Sequence, residues 1–210
     1  YNKQTLPNYG VFDEKRYFLN GSENLILDIE GNRICVMVCE DLWNFSSLSV
    51  LKSDNIDFLV SIHASPYENK KNFNRINFSK KIAIKYNCNL IYVNTVGGQD
   101  EIVFDGSSFL INRNGDLKHH CKKFTEDIYQ FSISKKEFLM DVIKTSDKGC
   151  NEYEDLYEAL KLGTYDYIRK SNFSGVLLGL SGGIDSALTL AIASDIFEKD
   201  NIEAVLLPSM

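Results

Sequence analysis

Two groups of residues have the types and spacing to do chemistry. The first is Gly179-Leu180-Ser181-Gly182-Gly183-Ile184-Asp185-Ser186. It follows Val176-Leu177-Leu178, which reads as a short buried strand. It leads into Leu188-Thr189-Leu190-Ala191-Ile192-Ala193, which reads as the first turns of a buried helix. A strand that turns through glycines into a helix N-terminus cradles phosphate, because free N–H groups and the helix dipole both favour a polyanion. Gly182 and Gly183 let the backbone approach without a Cβ in the way, and Ser181 and Ser186 add hydroxyl donors. Asp185 would repel bare phosphate, so it implies a divalent cation between the two. The Gly-Lys-Ser/Thr ending of a Walker loop is absent. The plainer alternative is a glycine turn capped by Asp185 and Ser186, which needs neither both serines nor both glycines.

The second group is Cys39 with Lys3. Cys39 closes the apolar run Ile34-Cys35-Val36-Met37-Val38 and is followed at once by Glu40-Asp41-Leu42-Trp43. A thiol at a strand end before a sharp turn is expected to be exposed, with backbone N–H groups behind it for an oxyanion. The thiolate is the attacking species, so a cation or helix N-terminus must lower its pKa. Glu40 and Asp41 would raise it, so the cation must come from elsewhere. Lys3, in the turn-rich segment Lys3-Gln4-Thr5-Leu6-Pro7-Asn8-Tyr9-Gly10, is the candidate. Spacing alone leaves this open. It favours Cys39 as a small buried apolar residue and Lys3 as a solvated lysine.

The elements that must position these residues fall in two blocks. In the first, strands are expected at 25–29, 34–39, 57–62, 89–94 and 107–111, with a hairpin turn at Asn112-Arg113-Asn114-Gly115-Asp116. A helix is expected from Phe73 to Tyr86. Asp105-Gly106 reads as a simple turn, and His119 and His120 read as surface residues. The second block opens on a capping box, Asn151-Glu152-Tyr153-Glu154, heading a helix that ends near Asn172. Glu203-Ala204-Val205-Leu206-Leu207 reads as the second strand of the sheet begun at Val176. The expected domains are 1–140, a linker at 141–150, and 151–210.

Composition sets the class. The chain has 210 residues, 44% apolar and 25% charged content, and a net charge of −6. That is an ordinary globular composition of one or two domains, with no nucleic-acid backbone expected as main partner. No apolar run is long enough to span a membrane, and no signal pattern follows Tyr1. Five irregularly spaced cysteines show no metal spacing and point to a reducing, cytoplasmic setting. A first residue other than methionine and a single strand-helix-strand unit at the other end point to a piece of a longer protein, inactive alone.

Three stretches carry a resemblance. Lys3 to Phe18 (KQTLPNYGVFDEKRYF), Val36 to Trp43 (VMVCEDLW) and Val93 to Phe109 (VNTVGGQDEIVFDGSSF) resemble the nitrilase-type glutaminase domain of glutamine-dependent NAD⁺ synthetases. Glu158 to Leu188 resembles the start of the synthetase domain, and its Ser-Gly-Gly-Xaa-Asp-Ser order resembles loops that bind ATP for α–β cleavage. The implied fold is α/β: the C-terminal part of a nitrilase-like α-β-β-α sandwich, then the start of a Rossmann-like (adenine nucleotide α-hydrolase) parallel-sheet domain. The resemblance implies a Glu-Lys-Cys triad in which Cys39 is the nucleophile, Lys3 stabilises the oxyanion, and the glutamate base lies upstream. Tyr9, Ser65 and Lys71 match glutamine-binding positions, and Gly179 to Ser186 match the ATP loop with Asp185 towards Mg²⁺. His63 stands where the family has asparagine.

The implied reaction is glutamine hydrolysis, with the ammonia amidating ATP-activated deamido-NAD⁺ to NAD⁺, releasing AMP and pyrophosphate. Glutamine, deamido-NAD⁺ and ATP are the implied partners, and a homo-oligomer the implied full-length form. The rivals are a stand-alone carbon–nitrogen hydrolase (amidase), an inactive fragment, and other pyrophosphate-loop enzymes such as GMP synthetases or tRNA-modifying thiolases. Residues 1–111 do not fit the last group.

Overall fold

The structure is a computed structural model that describes residues 1–10, 12–44, 46–139 and 151–207. The first apolar runs pair as expected. β1 (Leu25–Ile29) and β2 (Asn32–Val38) form a hairpin around Gly31, whose φ of +76° suits the tight turn. After a short helix, α1 (Val50–Ser53), β3 (Phe58–His63) runs parallel to β2. Helix α2 (Lys71–Tyr86) then crosses back, and β4 (Asn89–Asn94) runs parallel to β3. β5 (Val96–Gln99) and β6 (Ile102–Asp105) form a separate antiparallel hairpin. β7 (Phe109–Ile111) and β8 (Leu117–His120) complete a six-stranded mixed sheet in the order β1-β2-β3-β4-β7-β8.

Strand alternation gives this sheet two apolar faces. On one, Cys35, Met37, Leu59, Leu90, Tyr92, Phe109 and Ile111 pack with Ile82 and Ala83 of α2. On the other, Phe58 and Leu110 pack with Phe138 from the hairpin of β9 (Ser132–Ser134) and β10 (Glu137–Leu139). Burying each large side chain contributes about 1.5–3 kcal/mol, so both faces hold the sheet rigid beneath the residues at its strand ends. Ile62 and Val93 on the second face remain 47% and 42% exposed. The six-stranded sheet and α2 thus supply one sheet and one α layer of the expected sandwich, with part of the second face exposed.

Helix α3 (Glu152–Lys170) starts at Asn151, whose side chain accepts the Tyr153 N–H at 3.2 Å. The cap thus reaches the second helical residue, not the third as a capping box requires. β11 (Val176–Leu180) and β12 (Ile202–Leu206) pair in parallel across helix α4 (Ile184–Ile196). Helix α4 begins four residues before the apolar run at Leu188, because Ile184, Asp185 and Ser186 form its first turn. The expected linker at 141–150 lies outside the described residues. Among the described residues, no helix is long and apolar enough to cross a membrane.

Candidate active site

Parallel pairing sets the site. Val38 pairs with Ile62, and His63 pairs with Asn94. Cys39, one residue beyond Val38, therefore stands level with His63 and Asn94 at the carboxyl ends of three adjacent strands. This is where α/β sheets place their ligands. Cys39 opens a 3₁₀ turn, Cys39–Trp43, and takes a positive φ of 49°. That conformation is costly for a non-glycine residue and recurs at functional turns.

Asp41 explains how Lys3 is brought there. Its carboxylate is fully buried and accepts from Tyr1 OH at 2.6 Å, Gln4 N–H at 3.1 Å and Thr5 N–H at 2.6 Å. These bonds staple the segment carrying Lys3 against the turn carrying Cys39. The acidic pair set against the thiolate in the sequence thus divides. Asp41 is a structural acceptor, and of the pair Glu40 is the one that opposes the thiolate. Cys39 itself is partly buried, a correction to its expected exposure, because the stapled segment lies beside it. Burial pushes its thiol above the ordinary value; Lys3 acts to lower it, Glu40 and Glu14 to raise it, and the Glu40 N–H to lower it.

Glu14 is the residue the sequence reading missed. Lys3 Nζ donates to both of its carboxylate oxygens at 2.7 Å. The spacing of eleven residues has no helical or strand period, so no local pattern marks the pair. Its side chains are 14% and 25% exposed, so screening by water is limited.

Tyr9 lies on the same side. Its hydroxyl donates to Glu40 Oε2 at 2.9 Å, and burial with that contact pushes its pKa up to about 12. The residue is 58% exposed. Trp43 packs on Phe78 at 4.5 Å between ring centroids and meets His63 edge-on at 6.3 Å. His63 is 3% exposed, stacks on Tyr92 at 3.9 Å, and pairs through Nε2 with Ser61 Oγ at 2.7 Å. Burial, with Arg75 and Lys3 adding to it, lowers its pKa to about 3, so the imidazole is neutral at pH 7.

Ser65 is held by a buried network. Arg75 donates to Ser65 O at 2.9 Å, Ser65 Oγ at 3.0 Å and Pro66 O at 2.9 Å. It also takes Asp105 in a two-bond ion pair at 2.8 and 3.0 Å. Asn94 Oδ1 accepts the Ser65 N–H at 2.9 Å, and Asn94 Nδ2 donates to Gly106 O at 3.0 Å. Asp105 is therefore more than the turn residue its sequence suggests. Lys71 lies one turn before Arg75 on α2 and pairs with Glu68 at 3.2 Å, its side chain 34% exposed. The structure thus gathers Lys3, Tyr9 and Cys39 in one cluster and fixes Ser65 through Arg75, while Lys71 engages Glu68. His119 and His120 are half-buried, not surface residues. His119 stacks on Tyr129 at 3.4 Å, and His120 bonds Ser107.

The glycine loop forms a second site. Gly179 and Leu180 end β11, Ser181 and Gly182 make the turn, Gly183 precedes α4, and Ile184 to Ser186 open the helix. Gly182 has a φ of +85°, and nothing lies within 4 Å of where a Cβ would project. Ser186 Oγ donates to Gly183 O at 3.0 Å and meets Ser181 Oγ at 3.3 Å. The two hydroxyls bracket the exposed first-turn N–H groups, a fit for phosphate. No three His, Cys, Asp or Glu side chains converge among the described residues. Asp185 is exposed in the first turn of α4, a single carboxylate beside the loop.

Both blocks of the chain match known families. Residues 1–137 match the carbon-nitrogen hydrolase family, and residues 156–210 match NAD synthase. The glutamine-dependent NAD(+) synthetase of Acinetobacter baylyi is 42% identical over 211 residues, covering 99% of this chain and 38% of that protein. That of Aquifex aeolicus is 36% identical over 240 residues, covering the whole chain and 42% of that protein. The chain therefore spans about two-fifths of the length of these relatives. The structure of the Acinetobacter baumannii glutamine-dependent NAD+ synthetase in complex with ADP superposes with a TM-score of 0.93. It is 40% identical, and the match covers 99% of this chain and 39% of that one. A carbon-nitrogen hydrolase from Helicobacter pylori, 23% identical, shares the fold of 59% of the chain and 48% of its own with a TM-score of 0.53. A strand-end cysteine beside a lysine–glutamate pair, on a sheet of this topology and with this match, means that the chain belongs to the carbon-nitrogen hydrolase family.

Proposed function

We propose that this chain carries the glutaminase site and the start of the ATP site of a glutamine-hydrolysing NAD⁺ synthetase. The reading rests above all on one observation: Lys3, Glu14 and Cys39 converge at the strand ends of the same chain that presents the 179–186 loop at the head of α4. Its support in kinship is the identity of 36–42% to synthetases over this chain's length. The proposed units are residues 1–140 and 151–210 about a linker at 141–150.

In the first half-reaction, Cys39 attacks the glutamine carboxamide. Lys3, held in place by Glu14 and by the Asp41 staple, stabilises the oxyanion. Collapse releases ammonia, and water hydrolyses the thioester to glutamate. A carboxylate supplied from outside this chain, or Glu14 itself, moves the proton. Tyr9, Ser65 and Lys71 bind glutamine, with Lys71 leaving Glu68 to meet the substrate's carboxylate.

In the second, residues 179–186 bind the ATP phosphates. Mg²⁺ would screen their negative charge, with Asp185 facing it. ATP adenylates the carboxylate of deamido-NAD⁺ and releases pyrophosphate, because a free carboxylate is a poor electrophile, and ammonia then displaces AMP to give NAD⁺. The four described cysteines are free thiols, which suits a reducing compartment such as the cytoplasm. A homo-oligomeric full-length enzyme completes the proposal.

The test uses the full-length enzyme. Cys39→Ala should abolish NAD⁺ formation from glutamine and leave formation from free ammonia intact. Asp185→Ala should remove both while glutamine hydrolysis continues. Equal loss with both nitrogen donors in Cys39→Ala would refute the assignment.

A further inference from the structure

The segment 65–71 carries two of the proposed glutamine-binding residues, yet it is not braced by the main sheet alone. Its backbone is tied to β6. Tyr67 N–H donates to Val103 O at 2.7 Å, and Pro66 forms a bridge with Phe104. Asp105, at the end of β6, holds Arg75, and Arg75 holds Ser65. β6 in turn pairs with β5, setting Gly98 opposite Val103. Gly98 is clamped by helix α3. Its N–H donates to Asp166 Oδ2 at 2.7 Å, and its carbonyl accepts from Lys170 Nζ at 2.6 Å. Lys170 also pairs with Asp166 at 3.1 Å.

The contact is close as well as polar. A Cβ on Gly98 would stand 2.9 Å from Gly163 Cα, and a Cβ on Gly163 would stand 2.9 Å from Val103. Two glycines therefore let the hairpin and the helix touch backbone to backbone. A second tether lies at the other end of α3. Glu152 accepts from Asn69 Nδ2 at 3.2 Å and pairs with Lys70 Nζ at 3.3 Å. Lys70, at a φ of +64°, immediately precedes Lys71. The segment 65–71 is thus anchored to α3 near both of its ends.

We propose that α3, the first helix of the nucleotide unit, sets the glutamine pocket, and that Asp166 is a positioning residue for Ser65 acting through the β5–β6 hairpin. This rests on the reading of Ser65 as a pocket residue. Asp166 bonds Gly98 and Lys170 and is not one of the residues proposed to bind glutamine or ATP. It fixes Gly98, Gly98 fixes the hairpin, and the hairpin fixes the backbone on which Ser65 is presented.

The experiment measures glutamine hydrolysis and ammonia-driven NAD⁺ formation in the full-length enzyme. Asp166→Ala should raise the KM for glutamine about three- to tenfold, the effect of one lost hydrogen bond, with kcat nearly unchanged. Ammonia-driven synthesis should stay at the parent level. Asp166→Asn, whose amide oxygen still accepts the Gly98 N–H, should recover most of the KM. Gly98→Ala, with Asp166 intact, should reproduce the defect by forcing the hairpin off α3. Amide exchange in the 65–71 segment should quicken in Asp166→Ala and Gly98→Ala. An unchanged KM in both variants, or equal loss with glutamine and ammonia, overturns the proposal. Retained glutamine use in a parallel Cys39→Ala enzyme would overturn the pocket reading instead, and the exchange rates would then decide the brace by themselves.

Discussion

At the scale of the residue, the balance of charge around Cys39 decides its chemistry. The thiol feels burial first, then Lys3 in one direction and Glu40 and Glu14 in the other. Glu14 accepts from Lys3 Nζ through both carboxylate oxygens at 2.7 Å. Burial, the largest influence, raises the thiol pKa above its ordinary value. Alkylation of Cys39 by iodoacetamide, followed by mass spectrometry across pH, should show a midpoint above that of an ordinary thiol. Glu14→Gln removes a charge that disfavours the thiolate and should move the midpoint down. Lys3→Met removes one that favours it and should move the midpoint up. Shifts of the same sign in the two variants would mean that neither side chain faces the sulfur.

At the scale of the element, one ion pair locks three parts of the fold. Arg75 on α2 and Asp105 on β6 are 2% and 3% exposed at their side chains. Between them they hold the Ser65–Pro66 backbone. Removing one partner leaves an uncompensated buried charge, typically a loss of about 3–5 kcal/mol. Arg75→Met should therefore lower the denaturation midpoint more than Arg75→Met combined with Asp105→Asn, which leaves no such charge. A double variant no more stable than the single one would show that Asp105 finds other partners. Strands β3 and β4 hold His63. Ser61 satisfies one ring nitrogen, Tyr92 covers one face, and the neutral imidazole needs no counterion.

At the scale of the whole molecule, the two blocks differ in how well they are covered. The sheet of the first block is buried on one face along most of its length. The β11–α4–β12 unit leaves Leu177 68%, Ile184 80% and Leu206 72% exposed. Parallel sheets occur with both faces covered, and apolar patches of this kind promote association. The 210-residue segment produced by itself should bind a hydrophobic dye, elute larger than a monomer, and be cut by protease first within 151–207. A monodisperse, dye-silent, protease-resistant segment would show that the unit is stable without further chain.

Local sequence determined the elements with strong periodicity or strong turn chemistry. The β1–β2 and β7–β8 hairpins, the β4 strand, helix α2 within two residues, and the parallel β11–β12 pair were all legible, because alternation and glycine turns act between near neighbours. So was Cys39, whose position after an apolar strand is a local fact. The β5–β6 hairpin was not, since Val96-Gly97-Gly98-Gln99 carries little strand propensity and is stabilised by α3, some 68 residues away in sequence. Nor was the Lys3–Glu14 pair, the inward turn of Asp41, or the Arg75–Asp105 lock, whose partners are 11, 36–40 and 30 residues apart. Charged residues read from sequence as solvated, because their burial is favourable only when a partner arrives from elsewhere in the chain. Spacing thus marked the glycine loop and set Cys39 at a strand end, while the roles of Cys39, Lys3, Tyr9, Ser65 and Lys71 rested on the family resemblance. Tertiary packing alone decided which of them face one another, since only it removes water and brings distant carboxylates and cations within hydrogen-bonding distance.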